Sequence, residues 1–415
     1  MKKLLMLLLA VYFYFIASAQ SLQSPEEFLG YKVGTHFTPH YKISAYFKAM
    51  AQANAGMMKL EQYGVTNEGR ELLLAFIASP ENLRRLDEIR MNNLRMAGLA
   101  KDHIATVTEN TPAIVWLSYN VHGNEAASSE ASMLVLYALL DPKNAQTKEW
   151  LKNTVVIIDP CLNPDGRDRY VNWYNTTVGN NYNTVRIAME HGEPWPYGRT
   201  NHYNFDLNRD WAWQTQIESK QRMKKYNEWL PQVHVDFHEQ GYNAPYYFAP
   251  AAEPYHQVIT QWQRDFQVQI GKNNAKYFDN NGWLYFTKET FDLLYPSYGD
   301  TYPTYNGSIG MTYEQGGISA GLGIALRNGD TLTLVDRATH HFTTSMSTIE
   351  ISAMNAAKLV TEFKKYFDDN RQGAGFENKT YVITSPDANK IQTVADELSS
   401  LGIEYGVTAS NNFKG

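Results

Sequence analysis

Three short stretches carry residue types able to do metal and acid–base chemistry. In the run Asn120-Val121-His122-Gly123-Asn124-Glu125, an imidazole and a carboxylate stand three residues apart. Both can face one cation if the backbone turns between them, and both are common zinc ligands. Alone, an H-x-x-E pair is a weak signal, and a solvated His–Glu pair is its commoner meaning. The second stretch, Val233 to His238, alternates. In an extended strand Val233, Val235 and Phe237 share one face, and His234, Asp236 and His238 the other. His238 lies at the strand's carboxyl end. With His122 and Glu125 it makes two histidines and a carboxylate, the open three-ligand set of a hydrolytic zinc centre. His234 reads as a satisfied core or surface histidine, and Asp236 as a hydrogen-bonded neighbour of the site. The third stretch, Met311 to Gly317, ends an apolar run with Glu314 and two glycines. Such a carboxylate could serve as a general base; a solvated strand-end acid is the plainer reading.

The elements that would position these groups are legible in part. Ala113–Tyr119 (AIVWLSY), Val155–Asp159, Val233–Phe237 and Ile309–Tyr313 are apolar runs suited to strands buried on both faces. They alternate with helical stretches: Tyr41–Ala55, residues 81–99, Ser128–Leu140, and a long amphipathic Arg337–Asp369 with room for one break. Lys59–Val65 and Glu71–Ala78 read as a hairpin. This pattern predicts an α/β sheet with helices on both faces, in which ligands bind beyond the carboxyl ends of strands. All three chemistry-bearing stretches fall there. Residues 21–38 read as an irregular arm. Residues 165–208 show no clear period and read as a long functional loop. After a polar linker near 369–378, Tyr381–Thr384, Ala388–Leu401 and Ile403–Val407 predict a β-α-β piece, too small to bury its own faces.

Taken together, the motifs resemble those of the M14 zinc carboxypeptidases. Gly64-Val65-Thr66-Asn67-Glu68-Gly69-Arg70 is similar to the family's G-x-S-x-E-G-R turn. His122 and Glu125 match its H-x-x-E, Asn163-Pro164-Asp165-Gly166 its N-P-D-G, and Asp206-Leu207-Asn208-Arg209 its D-L-N-R. His238 matches the distant third ligand, Tyr295-Pro296-Ser297-Tyr298-Gly299 the mobile loop, and Glu314 the catalytic glutamate. The resemblance implies a three-layer sandwich around a mixed, mostly parallel twisted sheet. It implies one Zn²⁺ held by His122, Glu125 and His238, and Glu314 as the base. Asn208 and Arg209 would bind the substrate's terminal carboxylate, and Tyr295 would close over it. Arg199 would stabilise the oxyanion, with Arg167 and Arg169 as alternatives. The substrate would be the C-terminus of a peptide or protein, and a selectivity position near Tyr302 would favour an apolar or aromatic end. The chain departs from the family at Asp210, where Asn is usual, at Glu239-Gln240, where Ser-Tyr is common, and in an enlarged segment 167–204 that would reshape the groove.

Composition limits the alternatives. The 415 residues carry a net charge of −6, which argues against nucleic acid as a partner. A single cysteine, Cys161, excludes an intrachain disulfide and reads as a small packed residue near the site. Lys2 and Lys3, an apolar run to Ile16 and Ala17-Ser18-Ala19 describe a signal peptide over residues 1–20, cleaved near Ala19 or Gln20. The run is short for a membrane span, so no span is expected to remain and the mature protein is expected to be exported. The expected organisation is a catalytic domain over residues 25–370 and the β-α-β piece over 378–415. The competing readings are a zinc amidase or endopeptidase acting on cell-wall peptides and, third, a non-catalytic binding protein. The survival of ligands, base and carboxylate clamp argues against the last.

Overall fold

The computed structural model describes residues 22–100, 102–373 and 380–408; the expected signal peptide lies outside them. Strands β1 (Met58–Val65), β2 (Glu71–Ile77), β3 (Ala113–Tyr119), β4 (Thr154–Asp159), β5 (Val233–Gly241), β6 (Tyr246–Tyr247), β7 (Tyr285–Phe286) and β8 (Ile309–Ile318) form one sheet in the order β1-β2-β4-β3-β5-β8-β6-β7. The centre, β4-β3-β5-β8, is parallel, with antiparallel pairings on either side of it, β2 on β4 and β6 on β8. Every residue of β3 and β4 is buried, as their unbroken apolar runs require.

Alternation along β3 shows the layering. The Tyr119 hydroxyl meets Ser345 Oγ at 2.8 Å, on helix Leu334–Met354. Trp116, on the other face, packs its ring 5.6 Å from Tyr226, on helix Ile217–Trp229. Helices therefore cover both faces of a mixed, mostly parallel sheet. The long C-terminal helix breaks once, at Asn355, and its second part, Ala356–Arg371, packs Leu359, Val360 and Phe363 into the main core. No helix among the described residues is long and apolar enough to cross a membrane.

Four sequence expectations change. Residues 165–208 are not one loop: Pro164–Thr177 is a helix, started by Asn163, whose side chain accepts from Gly166 N, and by Pro164 at the first helical position. The 21–38 arm holds a short helix, Pro25–Leu29, with a Ser24–Glu27 capping box. The helical stretch 81–99 is two helices, Pro80–Arg84 and Leu86–Met96. The β-α-β piece keeps its helix, Ala388–Ser400, but Tyr381–Thr384 and Ile403–Val407 are not strands. A strand needs a neighbour for its backbone N–H and C=O groups. Neither segment joins a strand ladder among the described residues, and most of their apolar side chains lie largely in water.

Candidate metal centre and cleft

The loop after β3 is held by one side chain. Asn120 takes a left-handed backbone (φ 62°), and its amide nitrogen donates to the carbonyls of His122, Gly123 and Glu125. Its Oδ1 accepts from Arg167 Nη1 at 3.0 Å. Gly123 sits against the backbone of Gly166, Arg167 and Gly198, where any Cβ would collide. The result is a tight turn that aims His122 and Glu125 at the same point.

His238, near the end of β5, faces that point. Ligand atoms of His122, Glu125 and His238 all lie within 4.8 Å of one another, and all three side chains are buried. His122 Nδ1 is 2.8 Å from Glu125 Oε1, His238 Nδ1 is 3.1 Å from Glu125 Oε2, and the two Nδ1 atoms are 3.1 Å apart. Each imidazole meets a carboxylate on its other nitrogen. Asp206 Oδ1 is 3.0 Å from His122 Nε2, and Asp236 Oδ2 is 3.0 Å from His238 Nε2. Outer carboxylates of this kind fix which imidazole nitrogen faces a metal. Two inward Nδ1 atoms and one carboxylate match a divalent zinc-like ion in both number and donor type.

The field of the site is strongly coupled. Burial would raise the Glu125 carboxyl, but His122 and His238 outweigh it and hold Glu125 well below the ordinary value. Burial likewise opposes charge on His238, yet Asp236 and Glu125 raise it well above an ordinary histidine. Glu314 stands opposite His238 in the β5–β8 register. Burial pushes its carboxyl up to about 8, with His238 and Arg199 pulling it down and Glu125 pushing it further up.

Arg199 reaches the centre: Nη1 is 3.1 Å from Glu125 Oε1, and Nε and Nη2 hold Asp206 Oδ2 at 3.2 and 3.0 Å. The two alternatives do not. Arg167 is fully buried against Glu130, Asn120 and the Ala126 carbonyl, and Arg169 donates to the carbonyls of Tyr197 and Asn201. Asn208 Nδ2 lies 3.3 Å from His238 Nε2, while its Oδ1 accepts from Gly299 N at 2.8 Å. Arg209 is half exposed, with its guanidinium 4.5 Å from the Tyr298 ring. Tyr295 Oη accepts from Trp213 Nε1 at 2.8 Å and approaches the Arg209 carbonyl.

Tyr302 is buried against Trp211 and Tyr226. His40 and His191 are buried and hydrogen-bonded. His234 bonds Ser118 Oγ, and His340 and His341 bond Gln315 and Tyr246. Glu239 points away from the ligands, as strand alternation requires. Its carboxylate accepts from Ala127 N at 2.8 Å and pairs with Arg337 at 2.6 Å. Cys161 is buried 3.6 Å from Asn120 Oδ1. The Thr66–Arg70 turn docks on the N-P-D-G segment, with Thr66 Oγ1 2.6 Å and Arg70 Nη1 2.8 Å from Asp165.

Asp206 and Asn120 went unread as site residues; Asp206 was visible only as the first letter of D-L-N-R. Asp206→Asn is expected to weaken zinc binding about 10–100-fold, because it removes the carboxylate that orients His122. A chelator-competition titration measures this; an unchanged affinity would show that Asp206 merely neighbours the ligand.

A buried His–Glu–His group at the carboxyl ends of parallel strands, with a carboxylate facing it, is the arrangement of a metal-dependent hydrolase. The chain belongs to the zinc carboxypeptidase family (peptidase family M14), whose profile matches residues 43–353. Solved structures with the same fold include a metallo-carboxypeptidase from Burkholderia cenocepacia (14% identity, TM-score 0.52, covering 77% of this chain and 70% of that one). Another is a metallo-carboxypeptidase from Pseudomonas aeruginosa in complex with (2-guanidinoethylmercapto)succinic acid (11% identity, TM-score 0.50, covering 76% and 69%). No curated protein sequence matches the chain. The protein is thus a metallopeptidase of the carboxypeptidase type.

Proposed function

We propose that the protein is an exported zinc carboxypeptidase that hydrolyses the C-terminal peptide bond of peptides, using Glu314 as general base. The observation that carries this reading is the meeting of His122, Glu125 and His238 beside Glu314 and Arg199. Zinc bound by the three ligands would supply Lewis acidity and a water of lowered pKa. Glu314 takes the proton of the attacking water and passes it to the leaving amine. Arg199, already turned toward the centre, donates to the carbonyl oxygen as charge develops there. Asn208 and Arg209 hold the terminal carboxylate, Arg209 through its two-pronged guanidinium, and Tyr295 covers the terminal residue. The catalytic unit is residues 25–370. Export rests on the charged, apolar and small-residue pattern of residues 1–20.

Matched peptides with free and amidated C-termini test the clamp. The free acid is expected to be cut much faster, and Arg209→Ala to raise KM for it and narrow the gap. Equal cleavage of acid and amide by the unaltered protein would overturn the carboxypeptidase reading in favour of an amidase or endopeptidase.

A further inference from the structure

The helix that follows the proposed ligand Glu125 has no cap of its own. Helix Ala127–Leu140 begins on Ala126, whose side chain offers no acceptor to the free N–H groups of the first turn. A Ser, Thr or Asp at that place would supply one locally. Here the acceptor comes from another strand: Glu239 Oε1, next to His238 on β5, takes the Ala127 N–H at 2.8 Å. The other end of the same peptide group is held too, because Arg167 Nη1 donates to the Ala126 carbonyl at 2.8 Å. Both holding groups are charged and buried. Each sits in an ion pair of its own, Glu239 with Arg337 and Arg167 with Glu130, both at 2.6 Å.

Glu239 is tied to the centre a second time. Its main-chain N donates to Glu125 Oε2 at 2.9 Å, the oxygen that also lies 3.1 Å from His238 Nδ1. Arg337, its partner, donates to the Gly317 carbonyl at 3.3 Å, three residues beyond Glu314 on β8. Gly317 has no room for a side chain, since a Cβ there would run into the Glu239 carboxylate. One residue thus touches the stretch that carries Glu125, the strand that carries His238 and the end of the strand that carries Glu314. A buried ion pair is a costly way to cap a helix, because both charges must leave water. What this one supplies beyond a local cap is a fixed spacing between three separate segments.

We propose that Glu239, braced by Arg337, is a positioning residue of the metal centre: by holding the Ala127 N–H, its carboxylate keeps Glu125 in register with His238. It touches neither metal nor substrate in this role and acts through Glu125. Outer hydrogen bonds of this kind hold a site to the narrow tolerance its chemistry needs. The role deepens the zinc reading of His122, Glu125 and His238 and rests on it.

The test compares two double variants that share Arg337→Met and so lose the same contacts to Gly317 and Gly321. Glu239→Gln keeps an acceptor for Ala127 N, and Glu239→Leu has none. Neither leaves a buried ion unpaired. In chelator competition the leucine variant should hold zinc at least about tenfold more weakly than the glutamine variant, the lower end of what losing an outer partner of a ligand costs. Cobalt in place of zinc reports ligand geometry, and its visible absorption should differ between the two variants. If the leucine variant does not fold by circular dichroism, Glu239→Ala with Arg337→Met takes its place. Equal zinc affinities, or weaker binding with identical cobalt spectra, would reduce Glu239 to a structural residue and leave the zinc reading standing. An unaltered chain that binds no zinc, or whose zinc binding survives His122→Ala, overturns the ligand set and the positioning role together.

Discussion

Glu314→Gln is expected to lower kcat/KM by about 10²–10⁴-fold, the usual contribution of a positioned base, while the chain still binds one zinc. The two effects separate because Glu314 is not one of the three converging ligands; it faces them from the neighbouring strand. The substitution keeps the side chain's size and removes only its ability to take a proton. The pH profile adds a second reading. A base must be ionised, so activity should rise with pH through the Glu314 pKa. Without metal, burial pushes that carboxyl up to about 8; a divalent cation at the ligands would favour the charged form and lower it. The acid limb of kcat/KM in the zinc enzyme should therefore lie below 8 and vanish from the residual activity of the variant. Unchanged turnover with zinc in place would remove Glu314 from the role of base.

Arg337→Met should be the most damaging substitution for stability. Arg337 and Glu239 form a fully buried ion pair, and Arg337 also donates to the carbonyls of Gly317 and Gly321. Removing one partner of such a pair costs about 3–5 kcal/mol, because a buried charge is left without compensation. The sign of its pH dependence follows from Glu239. Burial already raises its carboxyl against the pull of Arg337, and without the arginine it rises further. A carboxyl with a higher pKa folded than unfolded binds more protons in the folded state, so stability falls as pH rises. The variant should therefore lose little against the unaltered protein in acid and progressively more towards neutral pH. Thermal melts across that range measure it. A Glu239→Gln, Arg337→Met double variant should recover part of the loss; failure to recover would place the damage in the carbonyl contacts instead of the charge.

The centre of the sheet was legible because parallel strands buried on both faces leave continuous apolar runs, as in AIVWLSY. The converging His122, Glu125 and His238 were legible as candidates because they sit at or just past the ends of those runs. Helix Pro164–Thr177 was not, since its first buried turns carry Asp165, Arg167 and Asp168 and only Tyr170, Val171 and Tyr174 give it an apolar face. Its start, Asn163-Pro164, was readable as a cap. Apolar alternation misled at Tyr381–Thr384 and Ile403–Val407, because it tells which face a strand would bury and not whether a partner exists. Asp206 shows a further kind of opacity. Its meaning comes from His122, 84 positions earlier in the chain, and no local pattern carries that. The same holds for Arg199, whose choice over Arg167 and Arg169 depends on which guanidinium the fold consumes internally.

The pairing of His238 with Glu314 across β5 and β8 has a consequence for which changes the chain can tolerate. The proposed ligand and the proposed base are kept in step by a ladder of main-chain hydrogen bonds, from Val233–Ile309 up to His238–Glu314. Strand side chains alternate faces, so deleting or inserting one residue within Val233–Phe237 or Ile309–Tyr313 would turn an entire half of the centre toward the opposite helical layer. Length changes in the connection between the two strands carry no such penalty. A frame of a few residues on each strand thus acts as a fixed ruler for the reaction.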